Sequence, residues 1–139
     1  MALKSSNIFV NLPVKDLNKS VEFFTKIGFE FNPQFTDENA TCMIIGDNIF
    51  VMLLVEDYFK SFIDKDIADA AKTTEVIVAL SADCREQVDE IVNRALAADA
   101  KPYRDPVDHG FMYSWSFQDL DNHLWEFAFM EPSALEQGE

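Results

Sequence analysis

Positive charge is scarce in this sequence. Eleven Lys and Arg residues stand against 25 Asp and Glu residues, for a formal net charge of −14. Because nucleic acids and anionic membrane surfaces are bound through clusters of basic side chains, this balance argues against both as partners. The charge is compatible with a cationic ligand, but it is more often simply that of an acidic cytosolic protein.

Cysteines and long apolar segments are also rare. Cys42 lies in an apolar strand-like run and Cys84 near a helix start, with no second Cys or His at chelating spacing. This arrangement favours reduced core thiols over a disulfide or a metal site. No segment approaches about 18 consecutive apolar residues, and no basic and apolar leader precedes the first strand. We therefore expect a soluble, cytoplasmic protein without a membrane partner.

The chain contains a weak internal repeat. The run from Phe9 to Asp16, FVNLPVKD, has a counterpart from Val76 to Asp83, VIVALSAD. Both are strand-like and end in an Asp that begins an amphipathic helix. A chain of 139 residues is long enough for one well-buried domain. Two copies in that length predict two half-domains that pair around a cleft.

Each copy predicts a strand, a helix and three further strands. The first module covers residues 7–55, a helical connecting segment covers 56–74, and the second module covers 75–131, all within one domain of residues 1–139. Asp16 and Gly28 are expected to begin and end the first helix. Asp83 with Glu86 predicts a capping box for the second. The fold class is therefore α+β, with two βαβββ modules that form a mixed sheet bearing a cleft.

Several spaced motifs agree with this duplication. They are Asp16-Leu17 at the first helix start, Phe23-Phe24 inside that helix, Gly28-Phe29 at its end, and FQDLDNHLWE from Phe117 to Glu126. With them the chain resembles the vicinal oxygen chelate superfamily over nearly its whole length. That superfamily includes glyoxalase I, bleomycin resistance proteins, fosfomycin resistance enzymes and extradiol dioxygenases. Its members isomerise, cleave, conjugate or merely bind, so the fold alone does not imply a function.

The resemblance also implies a divalent metal, held by a His on the first strand of each module and a Glu on the last strand. Those positions here are Phe9, Val76 and Glu126. Neither a phenyl ring nor an isopropyl group donates an electron pair to a metal. No cofactor is therefore expected. Glu126 remains a weak metal ligand candidate, and a divalent metal remains the alternative.

His109 and His123 are the only histidines, and either could turn toward Glu126. His123 and Glu126 are three residues apart, which places their side chains on opposite faces of a strand. For His109 the favoured interpretation is a loop histidine that hydrogen-bonds the backbone. For His123 it is a residue that stabilises the preceding turn.

Strand alternation outlines the expected cleft. If Glu126 faces it, Trp125, Phe127 and Phe129 face the helix. Glu126 is the catalytic candidate, either as a general base with a raised pKa or as an anchor for a ligand cation or amide. A Glu126 satisfied by the backbone or by Arg104 is the competing interpretation. The ligand-binding candidates are Phe9, Asn11, Phe50, Met52, Val76, Val78, Tyr113, Trp115, His109 and His123.

Two function classes follow. The first is a small-molecule-binding protein similar to bleomycin resistance proteins, with a cationic or aromatic ligand in an apolar aromatic cleft. The alternative is a glyoxalase I-like lyase or a dioxygenase that uses Glu126 in a non-standard metal site, completed by His109, His123 or a second subunit. A noncatalytic dimeric scaffold is a third reading. The apolar stretch from Tyr58 to Ile67 hints at a homodimer contact, with module pairing within one chain or across two left open.

Overall fold

The computed structural model describes residues 2–132. The chain divides into two compact units, with the boundary between Ile67 and Ala68. Within residues 2–132, no helix is long and apolar enough to cross a membrane. The expected polar tail at the C-terminus lies, from residue 133 on, outside the described residues.

The first unit has the predicted order of elements. They are β1 (Ile8–Val14), α1 (Leu17–Ile27), β2 (Glu30–Asn32), β3 (Ala40–Gly46), β4 (Ile49–Val55) and the short helix α2 (Glu56–Lys60). The strands form one sheet in the order β1-β4-β3-β2, in which β1 is parallel to β4 and the other pairs are antiparallel. This is a complete βαβββ module.

Helix α1 begins and ends where the sequence predicts. The Asp16 side chain accepts a hydrogen bond from the Lys19 backbone N–H at 3.1 Å, which satisfies one of the unpaired donors of the first turn. Gly28 ends the helix with φ of 128°, a conformation that costs glycine little. Phe23 and Phe24 are buried on the face of α1 that covers the sheet.

The second unit repeats this plan with one extra short strand. Its elements are β5 (Ile77–Ser81), α3 (Arg85–Ala97), β6 (Lys101–Pro102), β7 (Val107–Asp108), β8 (Met112–Gln118) and β9 (Leu124–Met130). The sheet order is β5-β9-β8-β6, with β7 also paired to β8. Strand β5 is parallel to β9, as β1 is to β4. The core under α3 contains Trp125, Phe117 and Phe127, and the last two rings stack at 6.1 Å.

Three expectations need correction. The predicted mixed sheet is two mixed sheets, one in each unit. The connecting segment is helical only from Glu56 to Lys60, because turns and irregular backbone follow. The capping box at Asp83 and Glu86 is wrong, because Cys84 is the N-cap of α3 and makes no side-chain cap bond. Instead the Gln87 side chain accepts from the Asp83 backbone N–H at 2.6 Å.

Candidate functional site

The open face of the first sheet, the side away from α1, carries four of the predicted site residues. Pairing of β1 with β4 places Phe9 beside Phe50 and Asn11 beside Met52. Leu12 and Val14 alternate with them and are buried on the α1 side. The register of this pairing thus places the four predicted residues of β1 and β4 on one face of the sheet.

Aromatic stacking organises the outer part of this face. The Phe9 and Phe50 rings stack with centroids 5.1 Å apart and planes 15° apart. Phe9 remains 55% exposed. An exposed stacked pair of this kind offers a flat apolar surface to a ligand or a partner.

Two adjoining cavities lie over the inner part of the open face. The first, of about 530 Å³, is lined by Asn11, Leu54, Phe59, Phe62 and Ile63. The second, of about 450 Å³, is lined by Asn11, Gln34, Phe35, Thr36, Asp37, Ala40, Met52, Leu54, Tyr58 and Phe62. Because three lining residues are common to both, the cavities meet above Asn11 and Leu54, beside Phe62.

The wall opposite the sheet comes from α2 and the turn after it. Tyr58 and Phe62 are one helical turn apart, and their rings meet edge to face at 5.0 Å. Phe62 is 65% exposed and borders both cavities. The sequence shows these apolar residues at helical spacing, but not that they line a cavity, since that depends on how α2 lies against β1 and β4.

Glu126 lies on the open face of the second sheet, in surroundings unlike those expected. Its neighbours across the sheet are Ala79 on β5 and Ser116 on β8. Trp125 and Phe127 face the other way and are buried, as predicted. Glu126 is half-buried, and the side chains beside it on the neighbouring strands are small.

Val76 and Val78 do not share the face of Glu126, and this expectation is wrong. Val78 pairs with Trp125, whose side chain is buried on the α3 side. The register of β5 against β9, which puts Ala79 beside Glu126, is one residue out of phase with the repeat. Ile77, not Val76, is therefore the counterpart of Phe9, and it too is 55% exposed on the open face.

Tyr113 and Trp115 lie on the α3 side of β8, so the expectation that they line a pocket with Glu126 is also wrong. The Tyr113 hydroxyl donates to the Asp89 carboxylate of α3 at 2.5 Å. Burial, and secondly this hydrogen bond, raise the pKa of Tyr113 to about 12. The Trp115 indole N–H donates to the Arg104 carbonyl at 3.0 Å. The two side chains thus connect β8 to α3 and to the loop after β6.

The two histidines lie in different surroundings. His123 is 3% exposed, and its Nδ1 lies 3.0 Å from the Glu75 carboxylate. His109 lies on the exposed loop before β8, where its backbone N–H donates to the Met112 carbonyl and its ring packs near Phe111. The imidazole of His123 thus contacts Glu75, and the hydrogen bond of His109 is made by its backbone.

A buried carboxylate in the turn before β9 was missed by sequence reasoning. The Asp119 side chain accepts from the backbone N–H groups of Asp121 and His123, and from the Trp125 indole N–H at 2.9 Å. Burial raises the pKa of Asp119. The sequence feature that could have indicated this carboxylate is the Asp-x-Asp-Asn pattern of the turn. Asn122 takes a left-handed conformation in this turn, with φ of 69°.

Within residues 2–132, no group of three or more His, Cys, Asp or Glu side chains is placed to hold a metal ion. Phe9 in the first module and Ile77 in the second occupy equivalent positions, and so do Met52 and Glu126. Each lies on the open face of its own sheet. Only one of these four side chains carries an oxygen.

Comparison with known proteins gives a family match over part of the chain and a shared fold over most of it. Residues 7–46 match the family model described as bleomycin resistance protein-like N-terminal. A hypothetical protein from S. aureus is 28% identical, with 91% of this chain and 95% of that chain covered and a TM-score of 0.77. No curated protein sequence matches this one.

Two further solved structures share the fold. A glyoxalase/bleomycin resistance protein/dioxygenase family enzyme from Burkholderia phytofirmans is 14% identical, with 88% of this chain and 96% of that chain covered and a TM-score of 0.73. The fosfomycin resistance protein FosX from Listeria monocytogenes is 22% identical, with 94% and 98% covered and a TM-score of 0.66. The chain has the fold of these glyoxalase/bleomycin resistance and fosfomycin resistance proteins. Strands β1 and β5 are the first strands of its two βαβββ modules, and β4 and β9 are the last.

Proposed function

We propose that this protein binds a small molecule on the open face of its first sheet, in the manner of a binding protein of the glyoxalase/bleomycin resistance group. The observation that carries the proposal is the pair of adjoining cavities of about 530 and 450 Å³ over that face. Drug-sized ligands occupy pockets of roughly 300–1,000 Å³ that are mostly apolar with a few polar groups. Both cavities fall within this range.

The composition of the cavity walls supports the same proposal. Leu54, Phe59 and Ile63 supply apolar contact, and Asn11 contributes an amide where the two cavities meet. The amide of Asn11 makes only a long contact from its Nδ2 to the Phe9 carbonyl, at 3.5 Å. A side chain so weakly engaged retains hydrogen-bonding capacity for a ligand.

The side chains on the open faces do not fit the metal site of the superfamily. Phe9 and Ile77 stand where first-strand histidines would coordinate, and neither side chain has a lone pair. Glu126 has Ala79 and Ser116 as its strand neighbours, and a single carboxylate is a poor site for a divalent ion. We therefore propose that ligand binding does not depend on a metal ion.

Binding is tested by fluorescence titration with the neutral apolar dye 1-aminoanthracene. Met52→Lys introduces a charge on the cavity floor, and Ile77→Lys introduces the same charge on the open face of the second sheet. We expect Met52→Lys to weaken binding about tenfold or more, a loss of ~1.4 kcal/mol, with little change in Ile77→Lys. Equal affinity in all three proteins, or no binding to the wild type, would contradict the proposal.

The alternative, a lyase or dioxygenase with a non-standard metal site, depends on Glu126. It is tested by the metal content of tag-free protein after incubation with Ni, Zn, Fe(II) or Mn and desalting, beside Glu126→Ala. About one ion per chain, lost in the variant, would favour the enzyme over the binding protein. The homodimer and the cytoplasmic location stay predictions, on which the binding proposal does not depend.

A further inference from the structure

Resting on the proposed function, we propose that residues 56–63 form a lid over the binding face of the first sheet. The lid consists of helix α2 and the turn that follows it, and it lies closed on the sheet in this structure. It swings away from the sheet as a unit to admit the ligand, and it closes again over the bound molecule. Access to the site is thus controlled by this segment.

The larger cavity is enclosed between the lid and the sheet. Its floor is formed by Asn11 and Leu54, which belong to β1 and β4. Among the residues that the structure describes, all its other lining residues belong to the lid, and they are Phe59, Phe62 and Ile63. Displacement of the lid therefore opens this cavity to solvent, and a molecule bound in it is covered on the side opposite the sheet.

The lid makes its hydrogen bonds within itself. The backbone N–H and the hydroxyl of Ser61 both donate to the Tyr58 carbonyl, at 3.1 and 2.6 Å. The Phe62 backbone N–H donates to the Phe59 carbonyl at 3.1 Å. Across the described part of the chain, no hydrogen bond or ion pair joins residues 57–63 to the sheet. Opening of the lid therefore breaks no polar contact with the sheet, and such contacts are costly to break when they are buried.

Apolar contact of limited extent keeps the lid closed. None of residues 56–63 is fully buried. Phe59 and Ile63 are half-buried, whereas Phe62 is 65% exposed. Leu54, on the cavity floor, is only 4% exposed although it faces away from α1. Closure thus removes Leu54 from water, while a segment with so little buried surface opens at a lower free energy than the core unfolds.

The junction between β4 and α2 is suited to act as the hinge. Strand β4 ends at Val55 and α2 begins at Glu56, with no residue between them. Val55 is the N-cap of α2 and makes no side-chain cap bond, whereas Asp16 caps α1 with its carboxylate. No capping side chain therefore fixes the first turn of α2. A change of backbone dihedral angles at this junction, as at other hinges between elements, swings the lid as a whole.

Limited proteolysis tests the lid in the wild-type protein. Lys60 is an exposed residue of α2, and trypsin cuts after it only when the helix opens locally. Because the ligand binds under the closed lid, 1-aminoanthracene at ten times its Kd should slow this cut about tenfold. Lys72 lies in an exposed turn outside the lid, so the cut after it should keep its rate and controls for an effect of the dye on trypsin. Equal rates after Lys60 with and without bound dye, followed by mass spectrometry, overturn the inference.

Ile63→Ala distinguishes a lid from a fixed wall. The truncation weakens the contact that keeps the lid closed, so the dye should associate about threefold faster or more in stopped-flow measurements. Loss of a contact in a fixed wall would instead raise only the dissociation rate. Ile67→Ala, which truncates a half-buried residue outside the lid that lines neither cavity, should leave association unchanged.

The outcomes separate the lid from the proposed function. Unchanged association in Ile63→Ala, or equal acceleration in Ile63→Ala and Ile67→Ala, overturns the lid while binding of the dye still supports the proposed function. Failure of the dye to bind the wild type overturns the proposed function itself.

Discussion

The Asp119 carboxylate accepts a hydrogen bond from the Trp125 indole at 2.9 Å, and both side chains are almost completely buried. The same carboxylate accepts two backbone N–H groups of the turn that precedes β9. This contact ties the turn to the core beneath α3, and it determines where β9, the strand that carries Glu126, begins.

Removing the carboxylate should destabilise the protein strongly. Asp119→Ala leaves the buried indole N–H and two backbone N–H groups without their acceptor, and each unsatisfied buried donor costs about 1–3 kcal/mol. We expect the free energy of unfolding, measured by urea denaturation, to fall by at least ~2 kcal/mol. Asp105→Ala, on the exposed loop after β6, is the control and should change it little. Similar losses in both variants would contradict this role.

The pH dependence of stability should also change at Asp119. Burial raises its pKa above the ordinary value of 3.8, so the folded protein binds this proton more tightly than the unfolded chain. The resulting stability is complete below the unfolded pKa and is lost as pH rises through the folded pKa.

Asp119→Asn removes this titration and tests its sign. The unfolding free energy of the wild type minus that of Asp119→Asn should be largest near the unfolded pKa and should shrink as pH rises. Paired urea curves across a pH series measure this difference. A difference that is constant or grows with pH would contradict a raised pKa of Asp119 in the folded protein.

Tyr113 should be the tyrosine that resists deprotonation. Burial and the bond to Asp89 raise its pKa to about 12, so ionisation weakens the contact between β8 and α3 only at strongly alkaline pH. Ultraviolet titration of the wild type should show a late tyrosinate transition that Tyr113→Phe lacks and Tyr103→Phe keeps. Tyr113→Phe should also lower the unfolding free energy by about 1 kcal/mol, the usual contribution of a hydrogen bond.

The two repeated aspartates should differ in their effect on stability. Asp16 accepts from the Lys19 backbone N–H, so Asp16→Ala should lower the unfolding free energy by about 1 kcal/mol. Asp83 precedes the N-cap, and its backbone N–H, not its side chain, makes the contact to Gln87. Asp83→Ala should therefore have a smaller effect in the same urea assay. Equal losses would indicate that both carboxylates cap their helices.

Local chemistry explains what was predictable from the sequence. The strand, helix and three-strand order of each module follows from alternation, from the helical spacing of apolar residues, and from the Asp16 and Gly28 signals at the ends of α1. The placement of Phe9 with Asn11 on one face of β1 followed from the same alternation, because a period of two is set within the strand. The motif FQDLDNHLWE and the repeat together indicated the resemblance to the superfamily.

Register and packing, which join distant segments, were decided only by the tertiary structure. The pairing of β5 with β9 puts Val78 beside Trp125 and Ala79 beside Glu126. This register differs by one residue from that implied by the repeat, and in a strand such a shift moves a side chain to the other face. The contact of Tyr113 with Asp89 was likewise not predictable, because the two residues belong to different elements, β8 and α3. The cavities beside Phe62 required α2 to lie against the open face of the first sheet, a contact that no local pattern in the sequence encodes.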